Sequence, residues 1–331
     1  MRRRVWSEFL PFDEVRRPET LRLLGTHDVE PILAVHVEAD LQSLSETIRS
    51  ARRAGLRPWI WPLLAKDHGY WASEQNSGEW KARVDEILST LESENARPSG
   101  IAVDLEPPLA IVNLTRSMQV VEWMQLVRRH LDPIRFESSV MSWRAIALGL
   151  SARGYETLGI TTPMAAHDLR DGQPVWQDLL ETPWIDVPWS SWGIMAYNSM
   201  VAGYSKGVLN IEEARACHHP LLVRINQSFG ARGHVSLGLT GTGVLEDEAV
   251  YSSPDDLALD VAAAKAAGIT DIGVFCLEGI LDRSDPESWL KKFDVPPALM
   301  MPQSWKTPLV QGAARSARLV TNRLRMLEIW R

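Results

Sequence analysis

Two carboxylates stand at the end of an otherwise apolar segment. The segment reads Gly100-Ile-Ala-Val-Asp104-Leu-Glu106 and is stopped by two prolines, Pro107 and Pro108. Alternate side chains of a strand point to the same side, so Asp104 and Glu106 share one face. Two charges on an inward face are costly to bury unless they are paired or used. The pattern therefore indicates general acid and base chemistry, with Glu106 at the strand end.

Extended and helical patterns alternate along the chain and would position these acids. We expect eight strands, at 4–9, 32–37, 57–63, 100–106, 157–163, 191–198, 234–240 and 271–277. Helical patterns lie between them, at 18–25, 40–54, 79–95, 114–131 with a second segment to about 153, 173–180, 210–230 and 254–267. This alternation predicts an α/β protein, a (β/α)8 TIM barrel. A doubly wound open sheet is the main alternative, but no Gly-x-Gly-x-x-Gly turn follows the first strand.

No internal repeat or low-complexity linker divides the chain, which predicts one barrel domain over 1–295 and a C-terminal extension over 296–331. Residues 311–330 form a basic amphipathic helical pattern, in which three leucines oppose Arg315, Arg318, Arg323 and Arg325. We expect this helix to dock on the barrel. Binding to a membrane surface or a partner is the less favoured alternative.

Composition narrows the class of protein. The chain has 331 residues, 45% of them hydrophobic, and a net charge of -7, which argues against a nucleic-acid partner. The basic start, Met1-Arg-Arg-Arg, is followed by Glu8, Asp13 and Glu14 rather than by an apolar stretch, so we expect a cytoplasmic protein. The two cysteines have no metal-ligand spacing, and no cofactor or metal is expected.

In a (β/α)8 barrel, functional residues lie at the C-terminal ends of the strands. Those ends carry Glu8, His36, Glu38, Trp59, Trp61, Asp104, Glu106, Thr161, Thr162, Tyr197, Asn198, Thr240 and Glu278. Four strands thus end in glutamate. Mutual repulsion around a shared cavity would raise the pKa of at least one of them, as a general acid at neutral pH requires.

Tryptophan is the compositional oddity, with 14 residues against only 5 tyrosines. Flat indoles stack well on the apolar faces of sugars. Trp59 and Trp61 come at the third strand and Trp71 in the loop behind it, which predicts a sugar-binding platform.

The Asp-x-Glu segment, together with Met195-Ala-Tyr197-Asn198 on the sixth strand, resembles the chitinase-like family 18 glycosidases. Their fourth strand carries Asp-x-x-Asp-x-Asp-x-Glu and their sixth Met-x-Tyr-Asp. The resemblance implies a barrel in which Glu106 is the general acid and base. It also implies that Asp104 orients and polarises a substrate acetamido group, to which Tyr197 donates a hydrogen bond.

The chain departs from that pattern at several positions. Ser99 and Ala102 stand where the two earlier aspartates of the motif fall, and Asn198 replaces the usual aspartate. The tryptophan of the eighth strand is absent, with Leu277 and Glu278 there instead. The resemblance therefore speaks for the fold and a glycosidase-like site more than for N-acetylhexosamine specificity.

The identity of the nucleophile stays open from the sequence. A conventional retaining glycosidase needs two carboxyls about 5 to 5.5 Å apart on opposite sides of the glycosidic bond. Asp104 and Glu106 emerge side by side from one strand and cannot straddle a sugar ring. Either the acetamido oxygen of the substrate attacks, which we favour, or a carboxylate from another strand does, with Glu278 the first candidate.

Three functions remain open. The preferred prediction is a glycoside hydrolase or transglycosidase of the substrate-assisted type, with a carbohydrate substrate bound by Glu8, Glu38, Trp59, Trp61, Trp71, Met195, Asn198 and Glu278. A catalytically silent carbohydrate-binding barrel is the second. The third is a metal-dependent sugar isomerase or hydrolase that would use His36, Glu38, Asp104, Glu106 and Glu278.

Overall fold

Eight strands form the centre of the molecule. The computed structural model describes residues 1–108, 130–300 and 303–328. The strands are β1 (Arg2–Ser7), β2 (Val29–Val35), β3 (Trp59–Pro62), β4 (Gly100–Leu105), β5 (Glu156–Thr161), β6 (Ser191–Ala196), β7 (Gly233–Gly238) and β8 (Asp271–Phe275). Each predicted strand is present but ends one or two residues earlier than predicted. The ladder between neighbours stops there, and the polar residues that follow belong to the loops of the mouth.

The strands close into a barrel in sequence order, and every neighbouring pair is parallel. The last strand pairs with the first, with Val5 opposite Val274, which closes the sheet. The predicted (β/α)8 TIM barrel is therefore confirmed, and the open doubly wound sheet is excluded. The C-terminal strand ends all meet at one mouth.

Helices surround the barrel. In chain order, the α-helices of the described residues are α1 (Phe12–Val15), α2 (Pro18–Thr26), α3 (Leu41–Arg53), α4 (Ser77–Ser93), α5 (Pro133–Ala152), α6 (Val175–Leu179), α7 (Asn198–Tyr204), α8 (Ile211–Phe229), α9 (Pro254–Ala266), α10 (Leu277–Leu281), α11 (Pro286–Leu290) and α12 (Lys306–Glu328). The helix predicted at 114–131 lies almost wholly outside the described residues. None of the described helices is long and apolar enough to cross a bilayer.

Alternation along β4 decides which residues face the barrel interior. Ile101, Val103 and Leu105 are fully buried under the surrounding helices, in the larger of the two hydrophobic clusters. Ala102 belongs to the smaller cluster inside the barrel. Asp104 therefore faces inward, as predicted, and its strand directs it toward the mouth.

A buried ionic cluster fills the opposite end of the barrel. Two nitrogens of Arg4 donate to the two oxygens of Asp271 at 2.9 and 2.8 Å, and His234 Nδ1 lies 2.9 Å from the same carboxylate. The guanidinium of Arg4 lies 4.1 Å from the centroid of the Trp59 ring. Burial opposes ionisation of Asp271, but the arginine and histidine charges outweigh it and lower the pKa of this carboxyl. This cluster stabilises the floor of the barrel.

Candidate active site at the barrel mouth

The backbone of both acidic residues on β4 is fixed by the loop that follows β3. The N–H of Ala72 donates to the carbonyl of Asp104 at 3.1 Å, and the N–H of Glu106 donates to the carbonyl of Ala72 at 3.2 Å. Asn76 holds this loop by donating to the carbonyl of Trp71 at 2.8 Å. The positions of Asp104 and Glu106 therefore depend on a second, hydrogen-bonded segment as well as on their own strand.

Asp104 and Glu106 form a proton-sharing pair. Asp104 is only 5% exposed, and its Oδ1 is buried without a hydrogen-bond partner among the described residues. Burial, the charge of Glu106 and the charge of Glu8 raise the pKa of Asp104 well above its usual range. Burial also raises the pKa of Glu106 to about 8, against the lowering effect of the hydrogen bond from Asp104. The pair holds a proton at neutral pH, as a general acid must.

Glu8 adds a third carboxyl to the same mouth. It lies one residue beyond β1, is 4% exposed and accepts a 2.6 Å hydrogen bond from the hydroxyl of Tyr70 at Oε1. Burial raises its pKa to about 8, with further contributions from the charges of Glu278, Glu106 and Glu248. The predicted repulsion among strand-end acids is therefore present, with burial as the larger cause.

Glu278 is turned to the backbone of the β1 loop. Its Oε1 accepts hydrogen bonds from the N–H groups of Glu8 and Phe9, both at 2.7 Å. The sequence predicted a strand to residue 277 with Glu278 at its end, and this is wrong. The strand ends at Phe275, which faces the interior, and Glu278 lies in the first turn of α10. Glu278 thus orders the loop that carries Glu8.

Tyr197 and Phe275 form an aromatic wall beside the acids. Their ring centroids are 5.8 Å apart, and Phe275 in turn lies 6.5 Å from Trp61. Burial raises the pKa of Tyr197 well above its usual range, and the charges of Asp104, Glu106 and Glu8 add to this. Tyr197 therefore shares the environment of the acidic pair. Phe275 was missed from the sequence because β8 was extended too far; an aromatic residue does end that strand.

The predicted tryptophan platform is only partly at the mouth. Trp59 is fully buried against Arg4 at the barrel floor, so its expected contact with substrate is wrong. Trp61 is 3% exposed and packs edge-on against Trp6 at 5.1 Å, and Trp71 is 5% exposed and packs edge-on against Tyr70 at 5.3 Å. Both lie beneath the mouth and support its lining.

An exposed aromatic ring near the mouth belongs to Phe9, which sequence reasoning missed. It is 50% exposed and stacks on His36 with ring centroids 5.5 Å apart and an interplanar angle of 18°. His36 is fixed by a 2.7 Å contact between Nε2 and the carbonyl of Glu8. A cavity of about 430 Å³ lies here, lined among others by Glu8, Phe9, His36, Glu38, Lys66 and Tyr70. The available signal was an aromatic residue directly after a strand-end glutamate.

Two residues that were predicted to bind substrate, Met195 on β6 and Asn198 at the start of α7, have other surroundings. The Oδ1 of Asn198 lies 2.7 Å from Nδ1 of His218 on α8, and its side chain also bonds Asp260 on α9. Asn198 therefore faces the outer helices, which corrects its expected place at the mouth. Met195 is 7% exposed and belongs to the apolar cluster inside the barrel.

The five residues of the metal-dependent alternative do not converge as one set of ligands. Within residues 1–108, 130–300 and 303–328, no group of three or more His, Cys, Asp or Glu side chains is arranged to hold a metal ion. Glu278 is bound to backbone N–H groups, and His36 Nε2 to the carbonyl of Glu8. Glu38 is exposed at the rim of the cavity.

Comparison with solved structures returns barrels of carbohydrate-active proteins. The chain is similar to the PgaB (BpsB) glycoside hydrolase domain from Bordetella bronchiseptica, with a TM-score of 0.53 and 13% identity over 88% of this chain and 99% of that one. A GH18 chitinase from Cycas revoluta in complex with (GlcNAc)4 gives a TM-score of 0.50 and 9% identity, over 88% of this chain and 100% of that one. The catalytic domain of β-amylase from Paenibacillus polymyxa gives 0.52 and 7%, over 89% and 99%.

These similarities establish the fold that the family 18 resemblance implied. No protein-family model matches the chain, and no curated protein sequence matches it significantly. At such low identities the shared feature is the TIM barrel itself, and the chemistry depends on the residues at the mouth.

Proposed function

We propose that this chain is a glycosidase-like enzyme that cleaves or transfers a glycosidic bond, with Glu106 as the general acid and base. The observation that carries the proposal is the Asp104–Glu106 pair. One carboxyl is buried beside another at the mouth of the barrel, and the pKa of Glu106 is about 8. Glu106 is the more exposed residue of the pair, because Asp104 is buried and Glu106 is only partly buried.

The nucleophile is best supplied by the substrate. Oε1 of Glu278 accepts hydrogen bonds from two backbone N–H groups, and Oε1 of Glu8 accepts a hydrogen bond from the hydroxyl of Tyr70. Both carboxyls are held through Oε1 in contacts that order the mouth, and Oε2 of Glu278 is buried with no hydrogen-bond partner among the described residues. A 2-acetamido oxygen would then attack C1 while Glu106 protonates the leaving oxygen, as in substrate-assisted glycosidases.

Asp104 and Tyr197 would bind the acetamido group of the substrate. The Oδ1 of Asp104 is buried without a hydrogen-bond partner among the described residues, and an acetamido N–H would satisfy it. The hydroxyl of Tyr197 would donate to the acetamido oxygen. In the second step the oxygen of a water or an acceptor hydroxyl would attack C1 while Glu106, now ionised, takes its proton. The bond between C1 and the acetamido oxygen breaks, which opens the cyclic intermediate, and Glu106 is again the acid.

Sugar binding has support of its own in the exposed stack of Phe9 on His36. An exposed aromatic face beside a cavity of about 430 Å³ suits one pyranose ring. Glu38 and Lys66 line the same cavity and would form hydrogen bonds with the sugar hydroxyl groups. The same feature would serve a catalytically silent carbohydrate-binding barrel, which is the second candidate. The raised pKa of Glu106 favours the enzyme, because binding alone requires no proton donor.

The test is a screen of chromogenic glycosides with wild-type protein and Glu106→Gln. The substitution keeps the shape and removes the acid, so we expect turnover to fall at least about 100-fold while the KM changes little. The exposed Glu137 on α5, changed as Glu137→Gln, is the matched control and should leave turnover unchanged. Sugar binding by calorimetry without turnover on any glycoside would favour the silent barrel.

A further inference from the structure

The C-terminal helix α12 attaches to the barrel through its polar face. Nε of Arg318 lies 3.1 Å from Oδ1 of Asp168, and Nε of Arg325 lies 2.7 Å from Oδ2 of Asp178. Thr321, one turn from each arginine, is fully buried, as are both aspartates. Charged groups that are buried and paired are costly to separate. These contacts therefore fix which face of α12 meets the body of the protein.

The opposite face of α12 is apolar and exposed. It consists of Leu309, Leu319, Val320, Leu324, Met326 and Leu327, each between 38% and 64% exposed. An ordinary surface helix turns its apolar stripe to the core and its charges to water. Here the orientation is reversed, and an exposed surface that is rich in large apolar side chains is typical of an interaction surface.

The exposed charges of this surface are positive: Arg323 lies within the apolar face, one turn from both Leu319 and Leu327, and Arg315 lies at its edge. Arg315 and Arg323 are both exposed, and neither forms an ion pair with another described residue. No aspartate or glutamate occurs between Lys306 and Leu327, although the whole chain carries a net charge of -7. A surface that covers this face therefore has to be apolar and anionic together.

A second copy of the helix fits these charges poorly. In an antiparallel pair centred on Leu319, each Arg315 would face an Arg323, and like charges at close range oppose association. A bilayer with anionic headgroups offers phosphate and carboxylate groups to both arginines and an apolar layer to the leucines. Trp305, 73% exposed just before α12, adds the side chain that is most typical of the membrane interface.

We propose that α12 lies on the surface of an anionic phospholipid bilayer. Its apolar face enters the boundary between headgroups and acyl chains, Arg315 and Arg323 contact the headgroups, and the ion pairs of Arg318 and Arg325 hold the barrel on the aqueous side. The proposal is independent of the proposed glycosidase activity, because it involves neither the acidic pair nor the cavity near Phe9.

The test is co-sedimentation of the full chain with phosphatidylcholine vesicles that contain about one-third phosphatidylserine, compared with phosphatidylcholine alone. We expect the wild-type chain to sediment with the anionic vesicles at least about fivefold more than with the neutral ones. The double variant Leu319→Glu/Leu327→Glu should remain in the supernatant. Arg315→Gln/Arg323→Gln should keep only the weak binding seen with neutral vesicles.

The matched control is Met141→Glu/Leu148→Glu, which alters two exposed apolar residues on α5 and should sediment like the wild type. Unchanged thermal unfolding of each variant shows that the fold is retained. Failure of the wild-type chain to sediment, or sedimentation of the Leu319→Glu/Leu327→Glu variant at the wild-type level, would overturn the proposal. A dimer in light scattering that this variant dissociates, without vesicle binding, would overturn it in favour of a second copy.

Discussion

The hydroxyl of Tyr70 donates a 2.6 Å hydrogen bond to Oε1 of Glu8, which joins the loop after β3 to the loop after β1. Burial and three neighbouring carboxylates raise the pKa of Glu8 to about 8, and this bond is the contact that opposes them. Ionisation of Glu8 in turn raises the pKa of Asp104. The pair thus links loop structure to the protonation of the whole mouth.

Removal of that hydroxyl should shift the titration of Glu8. In Tyr70→Phe the carboxylate loses its donor, so we expect the pKa of Glu8 to rise above about 8. Carboxyl ¹³C chemical shifts measured across pH would report it. Tyr204→Phe, which removes a hydroxyl that bonds Asp247 instead, is the control. A pKa of Glu8 that stays in place would mean that the bond is not formed in solution.

The buried acids should make the protein less stable as pH rises. The pKa values of Glu8 and Glu106 are about 8 in the folded protein, against 4.5 for the free side chain. The folded state therefore binds more protons than the unfolded state between these values, and the free energy of unfolding falls as pH increases through this window. Glu8→Gln should gain about 1 to 2 kcal/mol relative to wild type at pH 8 and little at pH 4.

Denaturant unfolding of both proteins at the two pH values measures this difference, and the exposed Glu137→Gln controls for the substitution itself. A wild-type protein that gains stability between pH 5 and pH 8 relative to Glu8→Gln would show that Glu8 is ionised in the folded state. The sign of the stability difference between wild type and Glu8→Gln at pH 8 decides whether Glu8 is protonated or ionised in the folded protein.

Glu278 should behave as a positioning residue. Glu278→Gln keeps an oxygen that can accept from the N–H groups of Glu8 and Phe9, whereas Glu278→Ala leaves both donors without a partner. We expect turnover to survive in the first variant within about tenfold and to fall in the second by about 100-fold. Loss of turnover in Glu278→Gln as large as in Glu106→Gln would instead make Glu278 the nucleophile.

Gly100 should resist substitution because of the barrel floor. A Cβ at this position would lie 2.5 Å from the indole carbons of Trp59, which Arg4 holds from the other side. We expect Gly100→Ala to lower the free energy of unfolding by about 1 to 3 kcal/mol. Gly149→Ala, in the interior of α5 with open space around it, should instead raise stability by up to about 1 kcal/mol. Equal changes in thermal stability for Gly100→Ala and Gly149→Ala would contradict the close packing of Gly100 against Trp59.

The fold could be predicted because the spacing of apolar residues shows which face of each strand or helix is buried. The alternation of Ala102, Asp104 and the apolar residues between them is the same in the sequence and in β4. The residues at which the strands end were harder to predict. Strand pairing stops where neighbouring strands diverge, whereas the apolar pattern continues for one or two residues. The error at β8 hid Phe275 and misplaced Glu278.

Only the part of the candidate site that lies on a single strand could be predicted from the sequence. Asp104 and Glu106 are neighbours in sequence, whereas the bond between Glu8 and Tyr70 joins two loops that only the closed barrel brings together. Tryptophan composition also misled, since Trp59 lies under Arg4 at the floor rather than at the mouth. Asn198 shows the same limit, because its bond to His218 depends on the packing of α8.

The most direct test of the central claim compares two chromogenic glycosides that differ only in a 2-acetamido or a 2-hydroxyl group. Attack by the acetamido oxygen requires that group, so we predict turnover of the first substrate at a rate at least about 100-fold above the second, and no covalent adduct on the protein. Equal rates on both substrates, with a glycosyl adduct trapped on Glu278 or Glu8, would contradict the account.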